Sequence, residues 1–237
     1  MLIKIRSSQT QRSESLLVGS ILAFSGGYMD AYTYLCRDHV FANAQTGNMI
    51  LFGINLSQGN WILSLEYLYP VIFFVFGIAL SHLICTYFKN NQRIHWRQIA
   101  VAIEILVLFI VGFLNSNFNM LANCMVSFTC GVQVQSFRSI HGYNLATTMC
   151  IGNIRSATDC LCSYWHSKDK KQLRASMLYY EIIGVFILGA TFGYIVVKEI
   201  GMRAVWLNPF YLTIVFLLMW EGRQKLKSNP KQKEPQL

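Results

Sequence analysis

Six stretches of this chain are apolar and almost free of charge for seventeen residues or more, at 16–36, 67–88, 98–114, 118–137, 175–197 and 204–220. A bilayer core about 30 Å thick is crossed by a helix of roughly 20 such residues, so six blocks define a membrane-embedded, all-α helix bundle. The rest of the composition agrees. Apolar residues make up 54% and charged residues 13% of the 237, about half the charge of a soluble domain and far too apolar for disorder. Lys4, Arg6 and Arg12 precede the first block. That block is longer than the core of a signal peptide and lacks a small-x-small cleavage site, so it reads as an uncleaved first helix. Tyr67, Tyr69, Trp96, Trp206 and Trp220 lie near block ends, as interfacial anchors do.

Two further stretches are uncharged but polar: Val40 to Leu56 (VFANAQTGNMILFGINL) and Gly142 to Ile154 (GYNLATTMCIGNI). Basic residues stay on the cytoplasmic side of short loops, and this decides how the two behave. If all eight segments cross, twelve Lys and Arg lie inside and seven outside, with Arg155 unassigned. If the polar pair enters and returns on one side, seventeen lie inside and three outside. The second arrangement has six crossings and both termini cytoplasmic. The net charge of +9 is thereby topological, and no nucleic-acid partner is expected.

A repeat points the same way. Phe24-Ser-Gly-Gly27 matches Phe128-Thr-Cys-Gly131, Thr46-Gly47-Asn48 matches Ile151-Gly152-Asn153, and Phe76-Gly77 pairs with Leu188-Gly189. Each half then holds three spanning helices and one polar re-entrant or broken segment. Three crossings per half make the second half inverted, a plan recurrent among transporters. The domains expected are a cytoplasmic N-terminal segment (1–15), a transmembrane domain (16–221; repeat one about 16–114, repeat two about 118–221) and a basic tail (222–237).

Gly27-x-x-Asp30-Ala31 followed by Val40-Phe-Ala-Asn-Ala-Gln-Thr-Gly-Asn48 resembles the YoaK-type family of bacterial inner-membrane proteins, a domain of unknown function. The likeness extends over roughly 15–221, through Gly131-Val-Gln133 and Thr147-Thr148 to Gly152. It departs from the family pattern at Ile151, where a Thr is expected, and at Val134, where a polar residue is expected. The resemblance implies a polytopic membrane protein, loosely a small-molecule transporter, and brings no substrate or catalytic residue.

Four ionisable side chains lie inside apolar blocks: Asp30, His82, Glu104 and Glu181. A charge there is costly unless paired, protonated or hydrated, so each is a candidate proton-relay group or a structurally satisfied one. Asp30 follows Gly26-Gly27, which would open the helix and expose carbonyls beside the first polar segment. Gln45, Thr46, Gly47 and Asn48 offer amides, a hydroxyl and flexible backbone that replace hydration shells, or simply cap broken backbone. A helix starting near Thr46 would aim its positive end at the membrane centre. Thr148, Gly152 and Asn153 play the corresponding part, with Gln133 lining a path or bonding across helices. Arg155 would draw an anion to the inner mouth or only pair with Asp159. Gly184, Gly189 and Gly193 suit close helix packing.

There is no G-x-S-x-G, P-loop or H-E-x-x-H, and seven cysteines form no metal-ligand pattern. The expectation is a non-enzymatic protein with no cofactor or metal. Its partners are the lipid bilayer, an unidentified small solute or ion and, as a compatible assembly, a second copy in a homodimer. A transporter, a passive channel and a non-transport assembly protein all fit the same architecture.

Overall fold

The computed structural model describes residues 15–89, 95–140 and 143–228. The basic residues up to Arg12, Arg93, Gly142 and the tail beyond Ser228 lie outside the described residues. Eight α-helices are described: α1 Leu16–Cys36, α2 Gln45–Ser57, α3 Trp61–Phe88, α4 Trp96–Val111, α5 Asn119–Ser136, α6 Cys150–Ser167, α7 Lys170–Ile200 and α8 Leu207–Ser228. Two 3₁₀ turns, Ser116–Phe118 and Gly201–Trp206, lead into α5 and α8. A two-residue antiparallel hairpin, β1 Ser139–Ile140 and β2 Tyr143–Asn144, is the one departure from an all-α chain among the described residues.

Two helical stretches among the described residues are long and apolar enough to cross a membrane: α3, and Lys170–Glu221, which runs through α7 and α8. The other blocks meet the criterion less well for identifiable reasons. α4 has 16 residues, and α5 carries Asn119, Asn123, Gln133 and Gln135 among its apolar residues. Large apolar side chains cover much of the exterior, and polar ones are buried beside an apolar core. Ile72, Phe73, Phe76, Ile187, Leu188, Phe210 and Leu217 face outward, while Asn48, Asn123, Gln98, Gln133, Thr147, Glu104 and Arg37 are buried.

The second polar stretch is larger than the sequence indicates. It forms the β1–β2 hairpin, a turn and then the 18-residue helix α6, which runs through residues read as a loop. Arg155, Asp159 and His166 break the apolar run there without breaking the helix. Gly26 and Gly27 do not open α1, which is continuous through both. They are buried against neighbours instead.

The two halves make matched contacts. α1 packs on α7 as α5 packs on α3; α2 lies on α3 as α6 lies on α7; α4 touches α5 as α8 touches α1; α4 and α8 meet each other. The first pair of crossings is built from one motif used four times, Phe-x-x-Gly at Phe24–Gly27, Phe74–Gly77, Phe128–Gly131 and Phe186–Gly189. A Cβ on Gly27 would lie 1.9 Å from the Phe186 carbonyl oxygen, and one on Gly189 would lie 2.1 Å from that of Phe24. The other crossing repeats this: Gly77 meets the Phe128 carbonyl at 2.1 Å and Gly131 that of Phe74 at 2.2 Å, measured the same way. Backbones this close permit Cα–H···O contacts and dense packing, which hold helices together where no hydrophobic effect does.

Arg37, fully buried, closes one end of the bundle. Its guanidinium donates to the carbonyls of Leu114 (2.9 Å), Asn115 (3.2 Å) and Val111 (3.5 Å), to Asn119 Oδ1 (2.9 Å) and to Tyr32 Oη (3.0 Å). The end of α1, the end of α4 and the start of α5 therefore share one face. At the other end Arg97, at the start of α4, donates to the Ser136 carbonyl that ends α5 (2.9 Å).

Candidate functional site

The loop before α2 and the loop before α6, one from each half, both come to rest on the same part of α1. From the first, Asn43 Nδ2 donates to the Gly26 carbonyl (3.0 Å) and Asn43 N–H donates to Asp30 Oδ1 (2.7 Å). From the second, the Thr147 carbonyl and the Thr148 methyl both lie 3.5 Å from where a Gly26 Cβ would be. Gln133 of α5 ties this loop down, donating to the Leu22 carbonyl (3.1 Å) and to Thr147 Oγ1 (3.4 Å). Gly26 is the middle residue of α1, so both interrupted segments end at mid-helix.

Each loop is closed by the same device. Asn48 Oδ1 accepts from the Phe41 N–H (3.0 Å) and its Nδ2 donates to the Phe41 carbonyl (2.8 Å). Asn153 makes the same pair with Ala146, at 3.2 and 2.6 Å. The amide side chain satisfies both polar groups of a residue seven positions earlier, which buried, non-helical backbone requires.

The termini of α2 and α6 are otherwise treated differently. Neither N-cap residue, Ala44 or Met149, supplies a side-chain cap. Ahead of α2 the loop is held from another helix: the Asp30 carboxyl group accepts from the Asn43 N–H (2.7 Å) and faces those of Ala42 and Ala44. A carboxylate just ahead of a helix start also meets the positive end of the dipole. Among the described residues no cation pairs with Asp30. At α6 the corresponding position on α5, three residues past Gly131, is Val134. Phe41 lies against Gly47, whose Cβ would meet its ring at 2.9 Å; the matching pair, Ala146 and Gly152, leaves open space, with nothing within 4 Å of a Gly152 Cβ.

The remaining candidates are dispersed. Gln45 donates to the Ala42 carbonyl (2.8 Å) and accepts from Asn48 (2.9 Å); Thr46 is exposed. Glu104 is buried on α4 with Oε1 unpartnered. Cys130 of α5 lies within electrostatic range of both Glu104 and Asp30. His82 and Glu181 face outward from α3 and α7, so neither is gathered with Asp30. Arg155 pairs with Asp159 at 3.9 Å on the exposed face of α6. Among the described residues no group of three His, Cys, Asp or Glu side chains could hold a metal ion.

Sequence reasoning missed Arg37, treated only as a loop charge, and the individual weight of Asn43. The repeat would have found Asn43, since it stands opposite Thr148 at the spacing that pairs Asn48 with Asn153.

Fold and site together define a class: an all-α protein with an apolar exterior, polar side chains buried beside its apolar core, and two loops, each leading into a helix, that meet on one central helix. The chain belongs to the family described as "Protein of unknown function (DUF1275)", whose model matches residues 18–218. It is similar to the UPF0700 transmembrane protein YoaK of Bacillus subtilis (strain 168), with 21% identity over 216 residues, 89% of this chain and 95% of that protein. No solved structure matches.

Proposed function

We propose that this chain is a multi-pass protein of the bacterial inner membrane that carries a small solute or ion, without catalysis. Six crossings, in two inverted repeats with both termini cytoplasmic, are the reading best supported. The apolar exterior supports a lipid environment, as does the relative's description as a transmembrane protein. Arg37 and Arg97, at opposite ends of α4, support alternating helix directions.

One observation carries the transport reading: two polar, interrupted segments from opposite halves converge on the middle of α1, beside Asp30. Broken helices at the membrane midplane, contributed by inverted repeats, are how alternating-access carriers build their sites. Asp30 is the coupling group in this scheme. Its other reading is purely structural, as the anchor of the loop before α2.

Proteoliposomes separate the two. With a panel of labelled amino acids, sugars and carboxylates, wild-type protein is expected to take up at least one under an imposed pH gradient. Asp30→Asn, which keeps the size and an acceptor for Asn43, is expected to insert normally and lose the pH dependence. Uptake whose pH dependence survives in Asp30→Asn would sink the coupling role and leave the loop anchor.

A further inference from the structure

We infer that the outward face of α6 is a dimer interface, on which a second copy of this chain seats its own α6. The inference goes beyond the transport reading and uses only its placement of the helices in a bilayer.

Arg155, Asp159, Ser163 and His166 follow one another at steps of four, four and three, so they form one stripe along α6. All four are exposed. The buried residues Asn153 and Ala157 stand two positions before Arg155 and Asp159, a rotation of about 200° about the helix axis. The stripe therefore points away from α7, on which α6 lies. The Arg155 and Asp159 side chains are 86% and 73% exposed and 3.9 Å apart, too far for a hydrogen bond. This face lies at membrane depth. The loop before α6 rests on Gly26, at the middle of α1. Beside the charged pair, Ser176 Oγ donates to the Ala157 carbonyl (2.8 Å), and Thr158 Oγ1 lies 3.4 Å from Tyr180 Oη. Ser176 and Tyr180 both belong to the apolar block 175–197. Lipid is a poor cover for such a face. Side chains on a helix lean toward its N-terminus, here toward the middle of the bundle. Arg155 thus leans away from the membrane surface at the end of α6, and Asp159 is too short to reach it.

The matched helix shows that the position itself demands no polar face. α2 takes the same place in the first half, carries no charge and turns Met49, Ile50, Ile54 and Leu56 outward. Lipid suits that surface. The charged stripe belongs to one half alone, so each chain has it once. It bears both signs of charge and is complementary to itself. Two copies in one membrane are related by a twofold axis along the membrane normal, which sets their α6 helices parallel. Each Arg155 then meets the partner's Asp159 one turn away, as it meets its own, and the four charges close into one network. A self-complementary patch used once per chain closes as a dimer and leaves nothing to extend a filament. Polar contacts between helices are a recurrent glue in lipid. Gly152, at the start of the same face, has nothing within 4 Å of an added Cβ and admits a close neighbour.

The test is self-association of the full-length chain. Two differently tagged copies are co-expressed, solubilised in mild detergent and purified through one tag; the wild-type copies are expected to come down together. Arg155→Asp leaves two acids on the stripe and Asp159→Arg leaves two bases, so each variant paired with itself is expected to lose the second tag. Co-expression of one variant with the other is expected to restore it. Exchanging the charges within one chain would also restore the internal pair; placing them on separate chains tests the contact between copies. A second readout keeps all charges in place. On a background without the native cysteines, Ser163→Cys is expected to give a disulfide-linked dimer when membranes are oxidised with copper phenanthroline, and Ile154→Cys, on the flank of α6, is not. If the charge variants do not fold, this cross-link decides alone. A monomeric wild type, self-association undiminished in Arg155→Asp and Asp159→Arg, or a cross-link at Ile154→Cys without one at Ser163→Cys would overturn the interface. A single chain purified with a different protein on this face would overturn the second copy as its occupant. Rapid labelling of Ser163→Cys by a water-soluble maleimide, with no cross-link, would show a water-lined face and overturn the interface too. A dimer that carries no solute in liposomes would defeat the transport reading and leave the interface; flux through proven monomers would do the reverse.

Discussion

Asn48 and Asn153 each hold a turn of backbone that has no helix to satisfy it. Each makes two hydrogen bonds to one residue seven positions earlier, and both are buried. Replacing either by alanine removes two buried bonds and leaves an N–H and a C=O unpaired. The expected loss is about 2–4 kcal/mol, read as a lower unfolding midpoint in detergent for Asn48→Ala and Asn153→Ala alike. Equal stability would show that water takes over both groups. The sequence marked these two asparagines by their matched setting but left two roles open, ligand or cap. In the structure both ends of each amide are occupied by loop backbone. Residue identity alone could not say so: an Asn that caps and an Asn that binds present the same groups, and only the neighbours differ.

At the scale of the element, four glycines decide which helices touch. The Phe-x-x-Gly motifs join α1 to α7 and α3 to α5, each glycine resting on the carbonyl of the partner's phenylalanine. Gly131→Ala would set a methyl 2.2 Å from the Phe74 carbonyl oxygen, so α5 must move off α3. The expected cost is about 3 kcal/mol or more, the upper range of core overpacking, seen as aggregation or loss of a single peak in size-exclusion chromatography. Gly184→Ala is the internal control. Nothing lies within 4 Å of its added methyl, and helix propensity favours alanine by about 1 kcal/mol, so it should be neutral or mildly stabilising. The small-residue spacing of Gly184, Gly189 and Gly193 suggested one packing face; two of the three belong to it. A helix repeats every 3.6 residues, and five positions from Gly184 to Gly189 carry it off the face.

For the molecule as a whole, the proposed six crossings predict which helix ends face outward. Single cysteines on a background without the seven native ones settle it in intact cells. Ser116 and Ser167 lie at helix ends suited to labelling. Gly59 has φ +77°, which strains a side chain, so the neighbouring Gln58 takes its place. A membrane-impermeant reagent is expected to label Gln58→Cys and Ser116→Cys and to spare Ser167→Cys. Labelling of Ser167→Cys, with the other two protected, would reverse the orientation. Protection of all three would mean that the polar segments cross fully, and the two halves would then be parallel.

The helices of the six apolar blocks and the position of the polar segments were legible in the chain because they are properties of residue order, above all hydropathy by block. α6 was only half legible, since charges on its outer face interrupt the apolar signal without affecting the backbone bonds that make a helix. What only the tertiary structure decided is which half packs on which. That α1 pairs with α7, that both loops end on Gly26, and that Asp30 holds the loop leading into α2 are contacts outside any one element. No local pattern encodes them. They follow from the close approach that four glycines allow and from the need of two buried loops to satisfy their backbone.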